Sequence, residues 1–321
     1  MNEPIGQHLV PRCYLKHFAL AKKKDWLIDA CNLQVDDNVI FNVNIKAVCK
    51  QNEFYTFKKL PDEDKRFLEK YYSKTVEADY GQVYNILTNG IDISNNDRFK
   101  IIAFVICQYW RTAKYINALN DIFSRSLEHG HALIEAKGLR KEIHFDGGGV
   151  VSFENKTLGE VIKESKDETR ERYNSDTYLR FKELTNRRIN DRIVVYEAAQ
   201  DDFFITSDNP VKCGKNIYDP TGIIKMPINQ KYMVGLLPFN NDIAFRNKKL
   251  ARIKLDEERS YFETSFNNIM QIEQADQVVL GSKANLTKAI YEFKTHDKLE
   301  FDRRFDIYYK TLEEEINELQ K

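Results

Sequence analysis

Apolar residues along this chain change their period several times, dividing it into a mixed opening, a helical middle and a strand-rich final third. After Pro11, the residues Tyr14, Leu15 and Phe18 recur at helical spacing, and proline suits a first helical turn, so a short docked helix is expected there. Asp25 to Cys31 and Val39 to Ile45 carry the β-branched and aromatic residues of strands, joined through a turn-like Asp-Asp-Asn. Glu53 to Phe57 reads as a further short strand or an extended cover. From Pro61 the period turns helical through Phe67, Tyr71, Tyr80, Tyr84 and Leu87, until Asn89 and Gly90 stop it.

A second helix is expected from Ser94 or Asn95 to about Leu127, with Ile101, Phe104, Val105 and Tyr115 on its apolar face. Gln108 and Arg111 fall on that same face, where unpaired polar groups are costly and partners are required. Gly147 to Gly149 mark a loop and the candidate boundary between halves; they lack the spacing and the Lys-Ser/Thr of a phosphate-binding P-loop. Thr157 to Leu184 reads as one or two amphipathic helices, with Leu158, Val161, Ile162, Tyr178, Leu179 and Phe181 as contacts. Strands follow at Ile193 to Ala198 and Asp202 to Thr206, then as a pair in KMPI and YMVGLLPF, with edges in IAFRN and ARIKL. A helix from Tyr261 to about Ala275 feeds a strand at Gln277 to Leu280. Phe305, Tyr309, Leu312, Ile316 and Leu319 then repeat as a final helix, suited to packing on its own domain or to a dimer seam. No internal repeat is visible. The expectation is an α+β fold: a mixed sheet built from N-terminal and C-terminal strands, with the central helical region packed on it, in one domain over 1–295 and a helix over 296–321.

Composition excludes little beyond the extremes. With 321 residues, 42% hydrophobic, and 20 Phe and 17 Tyr, the chain can bury a sizeable core. Its 49 basic and 49 acidic residues cancel, so attraction to nucleic acid must come from local patches: Lys22 to Lys24, Asn186 to Arg188, or Phe245 to Lys254. Each also reads as a solvated charged face. No apolar run approaches the roughly 18 residues of a membrane span, and a cytoplasmic location is expected. Cys13, Cys31, Cys49, Cys107 and Cys213 are scattered without a CxxC pair and read as reduced thiols.

Polar residues stand in three places where structure alone does not ask for them: Gln7, His8 and Arg12; Gln108 and Arg111; and Ser207, Asp208 and Asn209 at the end of an apolar strand. If these converge, His8 is the acid/base group, and Asp208 orients its ring or holds a divalent metal with Glu53 or Glu77. Gln7, Arg12, Gln108, Arg111, Ser207 and Asn209 are then substrate-binding, the arginines as forked donors to phosphate or carboxylate. Each has a structural counterpart. Asp-Asn-Pro makes turns, a lone His near a terminus is a hydrogen-bonder, and Glu77 pairs an arginine such as Arg111.

QHLVPRCYLKHFA, DWLID, EFYTF, CQYWRT, FFITSDNPV and MPINQKYMVGLLPF, in that order, resemble the uncharacterised family known as domain of unknown function 4238. The opening and Thr-Ser-Asp-Asn-Pro motifs carry the likeness; MPI departs from the family's apolar run. The resemblance implies a single family-wide domain, mostly bacterial, without an established activity. The function expected from the residues is a hydrolase acting on a phosphodiester or nucleotide, nuclease-like and of the kind bacteria use in defence. The alternatives are a binding or assembly module, with the polar cluster structural and the C-terminal helix joining copies of the chain, and a small-ligand sensor.

Overall fold

In the computed structural model, which describes residues 6–37, 39–90, 92–145, 149–238, 250–301, 303, 304, 306, 307 and 310, the chain begins with a strand, β1 (Gly6–His8), just before the proline. Pro11 is extended, with ψ of 140°, and starts α1 (Arg12–Leu15), which buries Tyr14 and Leu15 as the spacing predicts. β2 (Leu20–Lys22), β3 (Asp25–Asn32) and β4 (Ile40–Asn44) form an antiparallel meander, and β5 (Lys50–Asn52) returns to pair with β1. Residues 53–55 turn instead of extending, with Thr56 N donating to Glu53 O (3.1 Å), and Phe54, Tyr55, Thr56 and Phe57 are buried without strand pairing.

The periodic stretch after Pro61 is three pieces. α2 (Phe67–Tyr71) runs into a π-helical turn (Tyr72–Glu77), and α3 (Tyr80–Asn89) follows, stopping at Gly90. The next expected helix is also divided. Ser94 caps α4 (Asn95–Trp110) in a reciprocal box with Asp97, and the chain breaks at residues 111–113 before α5 (Lys114–Lys137), which ends on the left-handed Gly138. Tyr115 is therefore off the buried stripe and 56% exposed. β6 (Glu142–His144) and β7 (Val150–Ser152) make a hairpin; Gly147 and Gly148, in the candidate domain boundary, lie outside the described residues. Thr157 caps α6 (Leu158–Arg187), one continuous helix on which α4 and α5 both pack. Val161 and Phe181 are buried in it, whereas Leu179 is exposed.

In the final third, β8 (Arg192–Glu197) matches its expectation, but only β9 (Thr206–Ser207) of the next apolar run pairs as strand. Side-chain amides replace the ladder there: Asn268 accepts from Ile205 N (2.9 Å) and donates to Phe203 O (2.9 Å). β10 (Lys212–Cys213), β11 (Ile224–Pro227), β12 (Tyr232–Leu237) and β13 (Ala251–Lys254) follow, then α7 (Glu257–Gln274), β14 (Val278–Gly281) and α8 (Lys283–Thr295).

The fold is α+β, as expected, and its strands make two five-stranded sheets and two small pairs. In the first sheet β14 lies between β3 and β9, so strands from both ends of the chain are neighbours, all antiparallel. The second, in the order β10-β11-β12-β8-β13, is mixed, because β13 runs parallel to β8. The largest core lies between these sheets and α1, α3, α4 and α6, where Tyr80 stacks on Phe104 (4.1 Å between ring centroids). Among the described residues, no helix is long and apolar enough to cross a membrane. The expected edge strand IAFRN, and Phe305, Tyr309, Leu312, Ile316 and Leu319 of the proposed seam, lie outside the described residues.

Candidate functional site

Strand alternation sends Gln7 inward, where it is 1% exposed and fully employed. Its Oε1 accepts from Tyr55 N (2.6 Å), and its Nε2 donates to Thr56 Oγ1 (3.2 Å) and to Glu69 (2.8 Å). Gln108 donates to Leu9 O (3.3 Å). Arg111, at the C-cap of α4, donates to His8 O (2.8 Å) and Glu77 (2.7 Å), and lies over the Tyr72 ring (4.7 Å). The Glu77–Arg111 pair thus forms, and with Gln108 it laces the opening strand to the helices. The first two expected polar groups do meet, but through backbone carbonyls of residues 8 and 9.

The His8 ring is half-buried, and burial, then the Arg12 charge, lowers its pKa. Among the described residues its Nε2 is buried without a hydrogen-bond partner. Arg12 is exposed and borders an open cavity with Cys13, Lys16 and Glu77. Glu53 takes a left-handed turn conformation (φ 53°) beyond β5.

Asp208 is 9% exposed and ties two chain segments together. Its carboxylate accepts the backbone N–H groups of Asp276 (2.8 Å), Gln277 (2.8 Å) and Val278 (3.1 Å). Burial nevertheless pushes its pKa up to about 6. Ser207 donates to Gln271 (2.6 Å), and Asn209 to Gln274 O (2.9 Å). No interaction among the described residues links Asp208 to His8, whose charged neighbours are Arg12, Glu77 and Lys50. Nor does any group of three or more His, Cys, Asp or Glu among the described residues form a metal site. Of the basic patches, Lys22 to Lys24 form an exposed turn. Arg188 is buried, ion-paired with Asp191 and donating to Gly222 O (2.6 Å), while residues 245–249 lie outside the described part.

What the expected segments do build together is an aromatic cleft. The break at residues 111–113 turns Tyr109, Trp110 and Thr112 away from the face of Gln108 and Arg111, and brings in Lys114 and Tyr115 from the start of α5. Tyr173 and Arg180 come from α6, Asn209 from the Asp-Asn-Pro turn, and Asn216 and Tyr218 from the loop between β10 and β11. The space enclosed is about 410 Å³. Trp110 meets Tyr109 edge-on (5.1 Å) and lies 6.0 Å from both the Tyr218 ring and the Arg180 guanidinium; Tyr115 and Tyr173 are 5.8 Å apart. Burial pushes the Tyr109 hydroxyl up to about 12, so that hydroxyl is uncharged at neutral pH. On the other side of Ala113, a cavity of about 300 Å³ is bordered by Asp208, Asp276, Lys50 and Asn117. Lys114 lies in the field of both carboxylates and donates to Glu273 O (3.1 Å).

Sequence reasoning named Asn209 alone among these wall residues. The missed signal is QYWRTAKY, in which Tyr109 and Trp110 depart from the apolar stripe of Ile101, Phe104 and Val105, while Tyr115 leaves it only through the break at residues 111–113.

A family model described as "Protein of unknown function (DUF4238)" matches residues 6–285. No curated protein and no solved structure matches the chain.

Proposed function

The chain belongs to that family of unknown function, and from this premise we propose that it binds a nucleotide or a similarly flat, anionic small molecule in the aromatic cleft. One observation carries the reading. Five aromatic side chains, two cations and two side-chain amides share one cavity of about 410 Å³, within the usual size of a small-molecule site. Tyr and Trp faces suit a stacked base, contributing about 1–3 kcal/mol per base. Arg180 and Lys114 suit its phosphate, and Asn209 and Asn216 suit the hydrogen-bonding edge of the ring.

Binding is the part of the expected nucleotide chemistry that this geometry supports. For hydrolysis, the acid/base pair assigned to His8 and Asp208 is not assembled in the cleft among the described residues. Gln7, Gln108, Arg111, Ser207 and Asp208 hold the fold together, which favours the binding module over the hydrolase.

Of the two tryptophans, Trp26 is exposed and Trp110 lies in the cleft, so Trp26→Phe leaves a single reporter. Titrating that variant with nucleoside mono-, di- and triphosphates should quench Trp110 fluorescence saturably. Arg180→Ala should weaken binding about tenfold, the cost of one charge-assisted contact. Phosphate release, followed with and without Mg²⁺, reads hydrolysis in the same samples. Absence of a saturable response to any nucleotide, or equal affinity in Arg180→Ala, overturns the reading.

A further inference from the structure

Lys212 and Lys225 face one another across the β10–β11 pair, and antiparallel register places such partners on the same side of the sheet. Both are buried, at 6% and 5% exposure, although lysine is almost never so. Their fates differ. Lys225 Nζ binds both carboxylate oxygens of Glu263, from α7, at 2.7 and 2.8 Å. Lys212 Nζ is left, among the described residues, with one long contact to Phe266 O (3.4 Å) and the face of the Phe266 ring (4.1 Å).

These groups border a second cavity of about 470 Å³, which shares no residue with the aromatic cleft. Ile223, Met233 and Met270 make its wall largely apolar. Asn267 also borders it, 1% exposed, with an Oδ1 that no hydrogen bond satisfies among the described residues. A buried acceptor without a donor calls for a ligand group.

We propose that Lys212 is a nucleophilic amine that forms an imine with a small aldehyde or ketone of apolar body held in this cavity. Lys225 takes both oxygens of Glu263, so an ammonium on Lys212 meets desolvation and the like charge of Lys225, which the nearby Glu263 and Glu273 carboxylates oppose. Both effects, burial first, push the Lys212 pKa well down and leave a free lone pair on Nζ. That lone pair attacks the carbonyl carbon as the π electrons move to oxygen, and a proton passes from nitrogen to oxygen to give the carbinolamine. Loss of the hydroxyl with the remaining Nζ proton releases one water and leaves C=N. Asn267 Oδ1 supplies the acceptor for the carbinolamine hydroxyl.

The test uses the full chain incubated with benzaldehyde or hexanal and cyanoborohydride, which fixes any imine as a secondary amine, followed by peptide mapping by mass spectrometry. At pH 7 Lys212 should be labelled at least tenfold faster than exposed Lys22 and Lys24, with a rate that saturates in aldehyde. Between pH 7 and 9 labelling of an amine that is mostly protonated throughout rises about 100-fold with its free-amine fraction, and Lys212 should accelerate far less. Lys212→Arg should lack the fast label. Labelling of wild-type Lys212 no faster than the exposed lysines overturns the proposal, and that measurement needs no variant to fold.

Discussion

His17 lies flat against Tyr84, with ring centroids 3.4 Å apart and 14° between planes, and its Nε2 is buried without a partner among the described residues. Nothing there rewards a proton. Burial, then the neighbouring Lys16, lowers its pKa from the usual 6.5 to about 4. A folded value below the unfolded one means that the unfolded chain protonates first as pH falls. The stability involved is therefore intact above pH 6.5 and is lost progressively down to about pH 4. Because the ring is only partly buried, the loss is on the order of 1 kcal/mol rather than the full value of the shift. Urea unfolding at pH 7, 5.5 and 4.5 should show His17→Phe losing that much less than wild type; parallel profiles would remove the argument. Asp208 has the opposite sense. Its raised pKa of about 6 means that folding works against its ionised form, and the three N–H groups from residues 276–278 offset only part of that cost.

Among the elements, the break between α4 and α5 shapes the cleft and also binds the opening strand. Arg111 sits at that break and reaches His8 O, Glu77 and the Tyr72 ring at once, a set that the planar guanidinium can satisfy and an ammonium cannot. Arg111→Lys should therefore cost about 3 kcal/mol, the usual penalty for breaking a buried pair, measured as a fall in the urea midpoint. A loss no larger than that of exposed Arg12→Ala would show the tie to be idle. Sequence pattern located most elements, including the helix starts near Ser94 and Thr157, because periodicity is a local property. It misread what non-local partners decide. Phe67, Tyr71, Tyr80 and Tyr84 keep a helical spacing that cannot reveal the π-turn at Tyr72–Glu77 between them. Residues 202–205 carry strand composition, yet Asn267 and Asn268 of α7 take over their backbone partners. The polar residues have structural partners that the sequence could not show, for a related reason. Gln108 and Arg111 were visible as anomalies, but whether a buried polar group meets a ligand or a carbonyl depends on the chain packed opposite.

At the scale of the molecule, one hydroxyl joins α1 to both large sheets. Tyr14 OH donates to Pro227 O of β11 (2.7 Å) and lies 2.7 Å from Thr206 Oγ1 of β9, in complete burial. Tyr14→Phe keeps the ring and strands both partners, so a loss of about 2 kcal/mol is expected. A thermal melt by circular dichroism measures it, and an unchanged midpoint would show that the two sheets do not depend on this link. The family match to residues 6–285 covers every strand and ends within α8, consistent with a fold that β14 completes. That closure has a consequence for how the protein is made. β3 pairs with β14, Asp29 opposite Gly281, so β3 leaves the ribosome long before its partner does. Until residues 278–281 emerge, an edge of β3 stays open, and contacts so distant in sequence form slowly. While the residues between the two strands are being made, the 29–32 edge of β3 lacks the neighbour it has in the finished fold, and an open edge is a template for pairing with other chains.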